Sequence, residues 1–512
     1  MDSEKLTARL NGNGSGNGDG ASRVWLSRNG LQLAVKLLPY IPDKLLLRIT
    51  RRWSSRLRHP GGRQWIERLV LFVKEIFATK AKPVRRKVLE NFLINELVVG
   101  TRIRHDIKAR EGWLPPVAVV ISPIMTCNLK CYGCYANEYD KHVGMSIETL
   151  NDVISQCKEL GIYFITISGG EPFFMKGMMD VFAKHDDVYF QVYTNGTLIS
   201  EERAKRLAEL GNVMPCISVE GFEQETDARR GKGTFAKAMA AMDALKRHGA
   251  VFAYSVTATR DNNEFIVSDE FVDFFVEKGC SIGWYFHYMP VGKAPNLELM
   301  PTPEQRMWRL ERINELRRTK PIVISDFWND GPLVGGCIAG GRCYFHINVY
   351  GDVEACVFNH FAADNIYKKP LSQCLQSDFF KGFQQYQKTQ PNTLCTCMVI
   401  DRSPEMKELV ARTGAYPTHE GADIVHNEML DDMKLYAEAY KALTIPWCQR
   451  HTGAWWDKAD AEADKPPADK PPADEPPAHK RPADERPADQ RPADQRPAHE
   501  KAAEAPVEAA TE

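Results

Sequence analysis

Three cysteines in one short stretch, Cys127, Cys131 and Cys134 of CNLKCYGC, carry the strongest chemical signal in this chain. Thiolates spaced this closely hold metal. A structural zinc site generally takes four ligands in paired spacings of two to four residues, and this loop offers three with no evident fourth. Three thiolates can instead hold three irons of a 4Fe-4S cube and leave the fourth iron open to a substrate or cofactor. A second set follows toward the carboxyl end. Cys337, Gly351 and Cys356 are spaced as Cys-gap-Gly-x4-Cys, and Cys395 and Cys397 lie in LCTCM. Cys157 and Cys216 fall in helix and strand patterns and read as core, since free cysteine is commonly buried.

The elements that must position these residues show in the rhythm of 117–330. Short β-rich runs at 117–122, 163–168, 189–193, 216–219, 252–257, 283–288 and 322–325 alternate with helical patterns at 147–160, 201–210, 235–248, 269–278 and 303–318. Such alternation predicts an α/β fold with a parallel sheet, here a partial (β/α)6 TIM-like barrel. Chemistry in these sheets sits at the carboxyl ends of the strands. CNLKCYGC comes just after the first run.

With CxxxCxxC in that place, 113–330 resembles the core barrel of the radical S-adenosylmethionine (radical SAM) enzymes, and further motifs at successive strand ends carry the likeness. Gly169-Gly170-Glu171-Pro172 resembles the family's GGEP turn, which meets the methionine amino group; paired glycines let backbone approach closely. Thr194-Asn195-Gly196-Thr197 ends the third run as the family's TNG motif does. Ser218 and Glu220 of ISVEG match a position that meets the ribose, Arg260 of TATR one that pairs with the methionine carboxylate, and Tyr288-Met289-Pro290 one that lays backbone against adenine. Where relatives carry an aromatic residue before the third cysteine, this chain has Gly133, with Tyr132 and Tyr135 on either side, and one of these tyrosines is expected to fill the space. The resemblance implies a 4Fe-4S cluster on Cys127, Cys131 and Cys134, S-adenosylmethionine on its open iron, reductive cleavage to a 5′-deoxyadenosyl radical, and a ferredoxin or flavodoxin as reductant. No residue is singled out as a catalytic acid or base.

The pattern at 331–456 resembles the carboxyl-terminal auxiliary-cluster extension called SPASM, or its shorter twitch form. That resemblance implies a second cluster on Cys337, Cys356 and Cys397, with Cys343 or Cys395 as further candidates; ordinary buried cysteines are the alternative. His346, His360, His419 and His426 nearby read as structural. Arg229, Arg230 and Lys232 of RRGKGTF read either as a site for an anionic group or as a solvated loop.

Composition bounds the remainder. At 512 residues, 43% hydrophobic and 10% aromatic, the chain is too long for one ordinary domain and too apolar to be disordered throughout. Its formal net charge of −1 hides an asymmetry, because 21–110 holds 21 Lys/Arg against 6 Asp/Glu. Residues 1–22 read as a flexible leader, 23–112 as a basic amphipathic helical region, and 457–512 as a disordered Pro/Ala/Asp pentapeptide-repeat tail. In the second of these, Trp65, Ile66, Leu69, Val70, Phe72, Val73, Ile76 and Phe77 recur at helical spacing. They read either as a cap packed on the barrel or as a surface lying on anionic lipid. Thirteen cysteines, an odd number, with no signal peptide evident, suggest a reducing cytoplasmic setting.

Four functions follow as expectations. The first is hydrogen abstraction from an unactivated C–H of an apolar, lipid-like substrate, with 23–112 in peripheral membrane contact. The second is modification of a ribosomal peptide or protein. The third is a small-molecule precursor, and the fourth an iron–sulfur electron carrier. No nucleic-acid partner is expected.

Overall fold

The computed structural model of the chain describes residues 37–54, 60–292, 295–388 and 391–451. The leader, the start of the basic region and the repeat tail lie outside the described residues. Seven parallel strands run in sequence order: β1 (Ala118–Ile121), β2 (Phe164–Ile167), β3 (Tyr189–Thr194), β4 (Val213–Val219), β5 (Ala253–Ala258), β6 (Ile282–His287) and β7 (Val323–Asp326). Each comes within a few residues of a β-rich run in the sequence. Helices between them start where a side chain can cap the free N–H groups: Ser146, Ser200, Ser268 and Thr302 each accept a hydrogen bond from a backbone N–H of the helix's first turn. Their inner faces and the strands form one core, in which Ile121, Ile165, Phe190, Ile217 and Tyr254 are fully buried.

The sheet does not stop at β1. β8 (Tyr344–Ile347) pairs with it in parallel, Ala118 opposite Tyr344, and β9 (Asp352–Cys356), β10 (Asn359–Asn365) and the edge strand β11 (Tyr416–Pro417) continue outward in antiparallel pairs. Cys343, just before β8, and Cys356, at the end of β9, therefore belong to the same eleven-stranded sheet as the barrel, whereas Cys374 and Cys448 lie on helices. A buried polar relay fastens this junction. Ser122 Oγ lies 2.8 Å from His346 Nε2, His346 Nδ1 lies 2.5 Å from Glu354, and Glu354 also accepts from Asn348 and Thr418. His346 thereby has a structural role, as does His426, whose Nδ1 bonds Ser403. His360 and His419 bond each other.

The helix Pro60–Thr79 carries the apolar residues that suggested a lipid surface. Ile76 is buried, and Trp65, Phe72 and Phe77 pack with it, Val84 and Val88 against Tyr189, Met214, Ala253, Ile282 and Val323. Those five residues stand at or near the starts of β3 to β7, so the helix closes the amino-terminal end of the barrel. These contacts are those of a cap packed on the barrel, the first of the two readings for this helix. Among the described residues no helix is long and apolar enough to cross a membrane.

Candidate functional site

Above the carboxyl ends of the strands, the loop after β1 carries the three cysteines. Two glycines hold it down. A Cβ on Gly169 would stand 2.3 Å from the Ile124 carbonyl oxygen, and one on Gly170 2.4 Å from that of Thr126. The same contact is a short ladder, with Gly170 N donating to Ile124 O at 2.8 Å and Glu171 N to Thr126 O at 3.0 Å. Gly170→Ala must push two backbone segments apart, at a cost of about 1–3 kcal/mol. Its expected result is a lowered urea midpoint together with poor retention of iron by the purified protein; a variant that keeps full iron would show that the close approach does not set the loop.

Glu171 and Asn195 hold the loop from the side. The Glu171 carboxylate is fully buried and accepts from Phe173 N, from Thr194 Oγ1 at 2.8 Å and from Asn195 N at 2.8 Å, tying the turn after β2 to the end of β3. Burial raises its pKa against those hydrogen bonds. Asn195 Nδ2 donates to Asn128 Oδ1 at 2.9 Å and lies 3.9 Å from Cys127 Sγ. Asn128 in turn donates to Thr197. Thus Asn195 reaches the cysteine loop directly, while the side chains of Glu171 and Pro172 turn into protein.

A cavity of about 310 Å³ begins at this loop and descends into the barrel. Its walls include Cys127, Cys131, Cys134, Gly169, Gly170, Asn195, Ser218 and Met289 among the residues singled out in the sequence. The structure brings these eight together. It leaves Glu220 and Arg260, like Glu171 and Pro172, off those walls. Glu220 is 1% exposed and accepts from Arg229 at 2.6 Å and Arg230 at 2.5 Å. Arg260 is exposed and donates to the carbonyls of Met300 and Leu297, away from the cavity.

The Glu220 pairing also decides the loop charges. Arg229 and Arg230 line the cavity beside Cys131, but each already has the Glu220 carboxylate, and Arg229 also donates to the Tyr132 carbonyl. Burial alone would lower the Arg230 pKa; the Glu220 charge outweighs it and keeps the guanidinium protonated. Burial pushes the Cys127 and Cys131 thiols up, and the neighbouring Cys134 thiol adds to the effect on both.

Several wall residues, or the contacts they make, carried no sequence signal. Gly133, with φ +66°, takes the place where an aromatic side chain was expected, and the Tyr288 ring fills it: a Cβ there would stand 2.8 Å from Tyr288 Cε2. Tyr135 shares a 2.9 Å hydrogen bond with Ser168. Deeper, Phe164, Gln191, Tyr193, Trp284, Phe286 and Phe327 complete the chamber. Strand periodicity places some of them inward; nothing local marks them as a chamber rather than a filled core.

The second cysteine set divides. Cys337 is close enough to Cys356 and Cys397 for their charges to disfavour its own, and burial pushes all three thiols up, Cys356 to about 12. Cys395 stands elsewhere, bonded to Asn392 and Thr444 near Cys448, and Cys343 has Arg342 as its charged neighbour. Among the described residues no three His, Cys, Asp or Glu side chains converge on a point where one ion would sit. A single zinc ion asks for such convergence, with each sulfur about 2.3 Å from it. A cube takes one thiolate per iron and asks only that three thiols face a common space; Cys127, Cys131 and Cys134 line one cavity, and Cys337, Cys356 and Cys397 are near enough for their charges to interact.

Residues 121–264 match the family model of the Radical SAM superfamily. With that match, the barrel and the three-cysteine loop, the chain is a radical SAM iron–sulfur enzyme bearing a carboxyl-terminal extension, and its cofactors are a 4Fe-4S cluster and S-adenosylmethionine. It is similar to the mycofactocin maturase MftC of Mycobacterium tuberculosis, strain CDC 1551 / Oshkosh, at 29% identity over 274 residues, covering 50% of this chain and 69% of that one. It is also similar to the AdoMet-dependent heme synthase of Nitratidesulfovibrio vulgaris, at 25% over 296 residues, 51% of this chain and 78% of that one. Among solved structures, Streptococcus suis SuiB bound to S-adenosylmethionine superposes with a TM-score of 0.49 at 17% identity, covering 64% of this chain and 83% of that one.

Proposed function

We propose that this chain modifies a peptide or protein, drawing a side chain of it into the barrel chamber beneath the cysteine loop. Cys127, Cys131 and Cys134 hold the catalytic cluster in this reading, and S-adenosylmethionine lies along Gly169, Gly170, Asn195, Ser218 and Met289. When bound and reduced, these cofactors supply a one-electron cleavage that yields a 5′-deoxyadenosyl radical able to take hydrogen from an unactivated C–H. The protein's part is enclosure and placement. Tyr288, Met289 and Phe286 keep water from the space below the loop. Glu220 pairs with both arginines at its rim, one carboxylate against two guanidiniums, so the rim is held in place and keeps a net positive charge.

One observation carries the choice of substrate. Gln191 Oε1 and Trp284 Nε1 are buried without a partner in an otherwise largely aromatic chamber. An alkyl tail offers neither atom a partner, whereas a side chain bearing a hydroxyl or amide can supply one once it displaces the neighbours that now cover them. The maturase among the relatives supports the same reading.

The test is anaerobic turnover of the reconstituted full chain with S-adenosylmethionine and dithionite. Three substrate arms run in parallel: peptides encoded beside its gene, an iron porphyrin, and detergent-dispersed phospholipid. A mass change in a peptide, with deuterium passing from that peptide into 5′-deoxyadenosine, is the expected result. Turnover confined to the porphyrin or the lipid arm overturns the reading.

A further inference from the structure

Tyr344 joins two regions that the function so far treats separately. It stands on β8 opposite Ala118 of β1, is 4% exposed, and presents its ring to the barrel chamber beside Phe327, with ring centroids 5.8 Å apart. Its hydroxyl points the other way and donates to Cys356 Sγ at 2.8 Å. Cys356 ends β9 and lies near enough to Cys337 and Cys397 for their charges to interact. The remaining donor to that sulfur is a backbone group, Phe358 N at 3.4 Å. Backbone donors come with almost any loop. A buried phenol aimed at a cysteine sulfur needs a particular side chain, and its ring forms part of the chamber wall.

We infer that Tyr344 is a positioning residue for the auxiliary cluster, whose hydroxyl sets the reduction potential of the iron–sulfur group held by Cys337, Cys356 and Cys397. The inference rests on the reading that these three cysteines hold a cluster. Its physical basis is the charge on the sulfur. Reduction adds an electron that spreads onto the thiolate ligands; a donated O–H stabilises that added negative charge and so raises the potential. Removing the donor lowers it. Phenylalanine keeps the ring against the chamber and removes only the O–H···S bond.

The experiment uses the full chain with Cys127, Cys131 and Cys134 replaced by alanine, so that the auxiliary cluster alone is reported. Iron and sulfide are counted first, and the reduced signal is then followed by electron paramagnetic resonance during a potentiometric titration. In this background Tyr344→Phe is expected to lower the midpoint, so that the ratio of reduced to oxidised cluster at fixed potential falls about tenfold, equivalent to about 59 mV for one electron. Substitution of 3,5-difluorotyrosine at the same position, a more acidic phenol with the ring kept, is expected to raise it, and this arm decides the matter if the phenylalanine variant fails to assemble. A background protein without iron or sulfide removes the cluster reading and the inference with it. A cluster that is present and titrates at one midpoint with all three side chains overturns the inference alone.

Discussion

With Cys127, Cys131 and Cys134 all replaced by alanine, the chain is expected to fold, to lose about four irons and to form no 5′-deoxyadenosine from S-adenosylmethionine and dithionite. The fold should survive because the thiols do not build it. All three are half-exposed on their loop, and the loop is held by backbone bonds from Gly170 and Glu171 and by the Asn128, Asn195 and Thr197 contacts. None of these needs a sulfur. Activity should vanish because no other cysteine lines the chamber beside the glycine turn. Iron left after the substitution belongs to Cys337, Cys356 and Cys397, so the drop is partial where the loss of cleavage is complete. Chromatography of the reaction and a colorimetric iron assay read both quantities. Residual 5′-deoxyadenosine above the level without protein would place the catalytic cluster elsewhere.

How far sequence leads to this site depends on whether a residue's role is local. The strand ends were legible because each parallel strand closes on a turn whose composition differs from its helix, and Gly169-Gly170 could be placed because only residues without a Cβ tolerate carbonyls at 2.3 and 2.4 Å. The family resemblance was carried by the same turns. Roles set by distant partners were not legible. Glu220 and Arg260 sit at the expected strand ends, yet one is taken by Arg229 and Arg230 and the other turns toward Leu297 and Met300. Tyr288 fills the gap above Gly133 from 155 residues away along the chain. Cys395 and Cys397 are two apart, and a spacing of two cannot say which of them joins Cys337. The helix Pro60–Thr79 shows the same limit: its periodicity announced a buried face, while what covers that face, the starts of β3 to β7, lies in residues far along the sequence.

Asp401→Asn is expected to destabilise the chain by about 3–5 kcal/mol and to empty the auxiliary site. The side chains of Asp401 and Arg306 are both 0% exposed and paired at 2.6 Å. The guanidinium also donates to Leu394 O and lies 3.8 Å from the centre of the Tyr440 ring, so the pair joins the helix Pro303–Thr319, the helix Leu430–His451 and the segment holding Cys395 and Cys397. The amide keeps the shape and removes the charge, leaving a guanidinium in a dry site without its counter-ion. The second carboxylate oxygen accepts from Cys397 N at 3.0 Å, and Asp401 N returns a bond to Cys397 O at 2.9 Å. Cys397 is thus held by the residue that anchors the helices. A double variant, Arg306→Met with Asp401→Leu, separates the two effects: apolar replacement of a buried pair is often close to neutral in stability, but it cannot restore the acceptor for Cys397 N. Urea unfolding is therefore expected to recover in the double variant while auxiliary iron stays low. Full iron in that variant would show that the Cys397 turn needs no carboxylate, and an unfolding free energy for Asp401→Asn within about 1 kcal/mol of the parent would remove the buried pair from the forces that hold the extension together.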